Sequence, residues 1–185
     1  MTRGIRLTRT ARWVLLSVAL QRIAEIGWAR RNEGRLRRRG AVEHGAGHYP
    51  VMVAMHAGWL AATALESSST RRARPGLLVG YALLQPLRYW VIRSLGDRWT
   101  TRIFVVPGEE PVRHGPYRVL QHPNYAVVAA EIALLPASLG APRTAGSFTI
   151  LNALLMAVRI PAEERALAGA RGPLEIVQKT LHATP

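Results

Sequence analysis

An all-α integral membrane protein with about five transmembrane helices is the architecture this sequence predicts, and three observations lead there. The chain of 185 residues is 49% hydrophobic yet carries a formal charge of +14, with a pI near 11.6. Its apolar residues gather into five runs that reach or approach the roughly 20 helical residues needed to cross a hydrocarbon core. Its basic residues gather between those runs, where they fix orientation and meet anionic headgroups. A nucleic-acid binder would account for the charge but not for the runs, and these arginines are not collected on a soluble motif. Membrane lipids are therefore the expected surroundings, and no nucleic-acid partner is expected.

The runs cover residues 11–29, 50–66, 75–95, 123–140 and 145–160. The first follows a basic opening, MTRGIRLTRTARW, and contains Gln21, Arg22 and Glu25 without a small-residue cleavage site, so no cleavable signal is expected. Polar groups interrupt the others too: His56 in the second, Gln85 and Arg88 in the third, Glu131 in the fourth. A charge at bilayer depth costs about 2.5–3.5 kcal/mol on insertion scales. Such groups either face the bundle interior or a cavity, or belong to short tilted helices whose ends snorkel. The fourth and fifth runs are joined by LGAPRTAG, whose Gly140, Pro142 and Gly146 mark a tight helical hairpin.

Charge asymmetry sets the orientation. The connection after the first run (Arg30, Arg31, Arg35, Arg37, Arg38, Arg39), the one before the fourth (Arg93, Arg98, Arg102, Arg113, Arg118) and the tail (Arg159, Arg165, Arg171, Lys179) hold fifteen basic residues. The opposite side holds eight: Arg3, Arg6, Arg9, Arg12, Arg71, Arg72, Arg74 and Arg143. The richer side belongs in the cytoplasm. The absence of cysteine excludes disulfides, thiolate metal sites and cysteine nucleophiles, and no metal site is expected.

Two clusters carry chemistry. In HGPYRVLQHPNY, Pro123 suits the first turn of a helix, where its missing N–H costs nothing. His122 then stands beside unpaired backbone donors and the positive end of the dipole, a place that suits a carboxylate. Tyr125, three residues on, offers an aromatic wall and a hydroxyl on roughly the same face, and the HGPYR turn presents Tyr117 and Arg118 toward the same region. In VRIPAEERAL, an apolar helix ends at Arg159 and a Pro-started amphipathic helix begins, with Glu163 and Glu164 in its first turn. Acids in a first turn and an arginine snorkelling to the interface are also ordinary helix-end features.

Together, GPYR…HPNY and, about 35 residues later, RI..EE..L resemble the isoprenylcysteine carboxyl methyltransferase family of integral membrane enzymes. The match covers residues 107–170 and falls on Gly115, Pro116, Tyr117, Arg118, His122, Pro123, Tyr125, Arg159, Glu163 and Glu164. Gln121 stands where the family commonly has arginine. The resemblance implies S-adenosyl-L-methionine as methyl donor. It also implies a cytosolic pocket formed by the fourth–fifth helix hairpin, the preceding loop and the C-terminal helix. Tyr117, His122, Pro123, Tyr125, Glu163 and Glu164 would bind the donor: His122 its carboxylate, Glu163 or Glu164 its ammonium, and the tyrosines its adenine or ribose. Residues 1–106 would then form the acceptor side, with three helices and the basic loop, and residues 107–185 the catalytic region.

The family's best-known acceptors are prenylated cysteine carboxylates, which Arg118 or Arg159 could orient. The first half, LQRIAEIGWARRNEGRLRRRGAVEHGAGHYPVMVAMHAGWL, is similar instead to a bacterial branch found alongside type III polyketide synthases, with matches at Glu25, Asn32, Gly40, Glu43, His48, Tyr49, Pro50 and His56. That branch implies O-methylation of alkylpyrone or alkylresorcinol lipids in the bacterial inner membrane, with such a synthase as functional partner. A phenol with a pKa of about 10 benefits from a base, a role open to Glu43 or His48. The same residues equally suit a structural role, pinning the first loop against the second cluster. Both acceptors are lipophilic small molecules with a polar head. A non-enzymatic membrane anchor is the competing class and predicts that His122 and Glu163 are dispensable.

Overall fold

The computed structural model describes residues 7–67 and 73–182, with side chains through residue 170. Arg3, Arg6, Arg71 and Arg72 of the charge count lie outside the described residues, as do the side chains of Arg171 and Lys179. The chain is mostly helical: α1 (Arg9–Arg38), α2 (His48–Glu66), α3 (Pro75–Leu95), α4 (Pro123–Ser138) and α5 (Pro142–His182). Each apolar run has become a helix.

Two boundaries differ from the sequence expectation. Residues 30–38, expected as a loop, extend α1, because arginine is a good helix former and a basic last turn complements the helix dipole. Pro161, expected to start a new helix, lies inside an uninterrupted α5. Its missing N–H frees only the carbonyl of Ala157 from the helical pattern, and the contacts of Arg159 with the Thr101 carbonyl before it and of Ala166 with Ile103 and Val105 after it hold the helix on course.

A small sheet is added to the helices. Strands β1 (Val42–His44) and β2 (Ile103–Val105) pair antiparallel, with Glu43 opposite Phe104. Three-residue strands are too short to leave a periodic signature in a sequence. The pair ties the α1–α2 loop to the long α3–α4 connection, and β2 packs on α5 through Ile103, Val105 and Ala166.

The helices form one bundle, with α4 packed between α3 and α5, and α5 also against α2. One core joins Leu15 and Val18 of α1, Trp59 of α2, Tyr81 of α3 and Ile132 and Leu135 of α4. Both ends of the bundle are tied. At one end, Glu66 of α2 accepts from the backbone N–H groups of Arg143 and Thr144 at 3.1 and 2.7 Å, capping the start of α5. At the other, buried Asn32 donates to the carbonyls of Gly96 and Trp99 at 3.1 and 2.8 Å.

The distribution of polarity is inverted relative to a soluble bundle. Ile23, Leu83 and Leu154 are 66%, 67% and 62% exposed on the outside of α1, α3 and α5, while Arg88 and Glu131 are buried inside. Arg22 and Arg88 bridge to Glu25 and Glu131 at 2.7–3.0 Å, and Gln85 donates to Glu131 at 3.0 Å. Glu25, Arg88 and Glu131 thus face the bundle interior, as interior charges at depth should. Among the described residues, α5 is the one helix long and apolar enough to cross a membrane by length and composition, and only 22% of its apolar stretch is buried. The other helices are shorter or carry the interior charges.

Candidate active site

The site begins with a turn that only glycine permits. Gly115 opens the short helical turn Gly115–Arg118 at φ +58°, and a Cβ there would stand 2.5 Å from Ser94 Oγ at the end of α3. Pro116, buried, seats the turn, so Tyr117 and Arg118 are held at a fixed place beside α3. Pro123 then starts α4 with His122 as the residue before it. The His122 side chain does not cap the helix: its Nε2 lies 3.2 Å from Glu164 Oε1, and its ring stacks on Tyr125 with centroids 5.5 Å apart.

Helical spacing on α5 puts Arg159 and Glu163 one turn apart, facing that entrance. Tyr125 donates a short hydrogen bond from its hydroxyl to Glu163 Oε2. Arg159, 4% exposed, donates to the carbonyl of Thr101 at 3.2 Å. Residues 122–125 and 159–164, far apart in the chain, therefore meet at the same end of the bundle.

They meet at a cavity of about 1090 Å³ bounded by all five helices and the α3–α4 connection. Tyr117, Arg118, His122, Tyr125, Arg159 and Glu163 line its polar side, Met52, Val53, Val128 and Met156 an apolar wall, and Arg22, Glu25 and Arg88 line it where it meets the interior charges. Among the buried polar atoms that line it without a partner are Asn124 Oδ1 and Arg159 Nε, beside Tyr125 and Glu163. An unpaired acceptor and an unpaired donor there fit a ligand carrying both an ammonium or amine and a carboxylate, as S-adenosylmethionine does. Asn124 was not singled out from the sequence. A polar residue between Pro123 and Tyr125 in the first turn of an otherwise apolar helix was the signal that could have found it.

Electrostatics separate the two halves of the expected site. Burial, and then the nearby Glu163, push the Tyr117 hydroxyl up, so it stays protonated and available as a donor. Glu43 is not at the cavity. It sits on β1, ion-paired to Arg37 at 2.8 Å and to Arg102. Burial alone would raise its pKa, but hydrogen bonds from Arg102 and Arg37 outweigh that and hold the carboxyl below its usual range. His48 packs under Gly45 and lines a separate cavity of about 620 Å³, with its Nδ1 buried and unpaired. Between them, Tyr49 does line the main cavity, its ring 4.0 Å beneath the Arg102 guanidinium. The structure thus brings together Tyr117, Arg118, His122, Pro123, Tyr125, Arg159, Glu163 and Glu164, and leaves Glu43 and His48 outside that group.

Known proteins bear on this geometry. A protein of Bacillus subtilis (strain 168), "Uncharacterized protein YpbQ", is 41% identical over 160 residues, covering 84% of this chain and 95% of that one. An "Uncharacterized protein" of Haemophilus influenzae is 26% identical over 143 residues, covering 75% and 83%. No solved structure matches. A sequence model of the isoprenylcysteine carboxyl methyltransferase family matches residues 77–169, which span α3, the Gly115 turn, α4 and the part of α5 that bears Arg159, Glu163 and Glu164. With that match and those residues gathered at one cavity, the chain belongs to the isoprenylcysteine carboxyl methyltransferase (ICMT) family, a family of membrane-associated methyltransferases.

Proposed function

We propose that the protein is an S-adenosylmethionine-dependent O-methyltransferase that methylates the polar head of a lipophilic acceptor, a phenolic or pyrone lipid hydroxyl. Its five helices cross the bacterial inner membrane, and the polar side of the cavity faces the cytoplasm. One observation carries the reading. His122, Tyr125 and Glu163, with Glu164 against His122, converge on a cavity that Met52, Val53, Val128 and Met156 wall with apolar surface. A water-soluble donor fits the polar side and an oily acceptor the apolar wall. The exposed Ile23, Leu83 and Leu154 support the membrane placement, since an apolar exterior of this extent needs lipid or a partner to cover it.

Each group has a task in this reading. Glu163 takes the donor's ammonium, and Arg159 Nε and the start of α4 its carboxylate. Tyr125 and Tyr117 wall its nucleoside, with the protonated Tyr117 hydroxyl as donor. The donor supplies an activated methyl group, and methyl transfer is an in-line displacement that depends chiefly on alignment. Fixing both reactants in one walled cavity is therefore the protein's main contribution.

Calorimetry on detergent-solubilised protein tests the donor site: binding of S-adenosylmethionine is expected, and His122→Ala or Glu163→Ala abolishes it. Undiminished affinity in both variants would defeat the assignment. Complete absence of donor binding would favour the membrane-anchor reading. Incubation with labelled donor and either a long-chain alkylresorcinol or a farnesyl-cysteine analogue tests the acceptor. Carboxyl methylation of a prenylcysteine-like lipid is the second reading, favoured by the cations Arg98, Arg102, Arg113 and Arg118 around the cavity. Labelling of the farnesyl compound alone would establish it. A type III polyketide synthase encoded beside this protein would favour the phenolic acceptor.

A further inference from the structure

We propose that His56 is the base that takes the proton from the acceptor's hydroxyl, in a headgroup chamber about one helical turn from Tyr125. The proposal rests on the O-methyltransferase reading and fills the role that Glu43 and His48, outside the main cavity, do not reach.

The height follows from helix register. Helices α2 and α4 run parallel, since the end of α2 at Glu66 caps the start of α5, which follows the end of α4. The Trp59 indole N–H donates to the carbonyl of Ile132 at 3.1 Å, fixing their relative height. Counting back three residues on each helix brings His56 level with Ala129, beside the cavity-lining Val128. Tyr125 lies a further turn toward the start of α4, about 5 Å by the helical rise. A donor held by Tyr125 and Glu163 and a polar head placed at His56 would thus share the main cavity, about one turn apart in height.

The ring is held for the task. His56 Nδ1 lies 2.9 Å from the carbonyl of Met52. A carbonyl only accepts, so Nδ1 carries the proton and the neutral ring keeps its lone pair on Nε2. The ring also packs edge-on against Trp59 with centroids 6.4 Å apart, and the residue lines the main cavity. The charged groups facing it are Arg22 of α1, Arg88 of α3 and Glu131 of α4. Arg22 and Arg88 line the cavity where it meets the interior charges. An oxyanion forming beside His56 would lie near two guanidinium groups whose charge Glu25 and Glu131 balance, with Arg22 Nε as the donor that has no other acceptor.

This arrangement discriminates between acceptor classes. A carboxylate is already ionised at neutral pH, whereas a phenol with a pKa of about 10 is not. In the transfer, the acceptor oxygen bonds to the methyl carbon as the carbon–sulfur bond breaks, with its electron pair left on sulfur. The hydroxyl proton passes to His56 Nε2, and the positive charge lost from the sulfonium reappears on the imidazolium. The imidazolium then returns its proton to water.

The test uses His56→Asn in the full-length protein, since an asparagine amide can still donate to the Met52 carbonyl while lacking the Nε2 acceptor. Donor affinity by calorimetry is expected to stay within about twofold, and methylation of an alkylresorcinol to fall about 10²–10⁴-fold. A nitro-substituted alkylresorcinol, ionised at neutral pH, is expected to lose less than threefold. With ring-labelled histidine, acceptor binding to donor-free protein is expected to shift one imidazole resonance that His56→Asn removes. Equal losses on both acceptors, wild-type rates on the unsubstituted one, or no such shift would overturn the proposal. Wild-type protein that binds no donor, or methylates neither phenol, would instead sink the O-methyltransferase reading and this proposal with it.

Discussion

Two charged regions of this molecule, about two turns apart along α4, are built in opposite ways. The interior quartet of Arg22, Glu25, Arg88 and Glu131 is paired ion to ion: each carboxylate meets two guanidinium groups at 2.7–3.0 Å, Gln85 adds a further donor, and within the four Arg22 Nε alone lacks an acceptor. The group on the cavity's polar side is less fully paired. Glu163 has one short bond from Tyr125, Glu164 one contact with His122, and Asn124 Oδ1 and Arg159 Nε have no partner. A buried polar group without a partner costs about 1–3 kcal/mol, so a site that leaves two unpaired stands ready for a ligand that pairs them. Charges that satisfy one another hold a fold together, and charges held short of partners bind.

The comparison is most strongly broken at Glu131. Glu131→Ala removes a carboxylate that is 1% exposed and leaves the two cations Arg22 and Arg88 sharing Glu25 alone. The expected loss is about 3–5 kcal/mol, seen as a large drop in thermal midpoint in detergent or loss of the folded monomer. Glu163→Gln should do the reverse. Stability stays within about 0.5 kcal/mol of wild type, while donor affinity falls about 10–100-fold by calorimetry, the value of a hydrogen bond to a charged group. Should Glu163→Gln destabilise as much as Glu131→Ala, the distinction between the regions collapses.

A third kind of charge sharpens the contrast. Arg35 and Asp97 pair at 2.6 Å, but their side chains are 52% and 59% exposed. Arg35→Ala should cost no more than about 1 kcal/mol and leave donor binding unchanged, measured by the same melting and titration experiments. The smallest effect concerns Glu43. Its folded pKa is depressed by Arg102 and Arg37, so its contribution to stability is present above the unfolded value of about 4.3 and disappears as pH falls through the folded one. Hydrogen exchange at β1 and β2 should therefore quicken as pH falls through that acid window. Glu43→Gln should flatten the dependence.

Much of this was legible in the sequence because it is written in long apolar runs. The five helices, the α4–α5 hairpin at Gly140 and the inward placement of Glu25, Arg88 and Glu131 follow from hydrophobic length and the cost of a lipid-facing charge. So does the entrance at His122 and Pro123. Long-range pairing was not legible. Nothing local says that Arg22 reaches Glu131 across 109 positions, or that Val42 and Val105 share a ladder. Pro161 reads as a break in one dimension and is carried through by neighbours in three. Glu43 and His48 carry the chemistry of a base, but the β1 register and the Gly45 turn face them away from the main cavity, and only the folded chain reveals that His56 lines it.

The balance of the interior quartet has an electrical corollary. Two cations and two anions, bound together in the middle of the bundle, sum to zero. In the membrane setting proposed above, a potential would act on each unit charge with about 2.3 kcal/mol per 100 mV, yet on this balanced set the forces would cancel. Displacing this set as a unit along the field of the proposed membrane would therefore move no net charge, and a voltage would favour neither position.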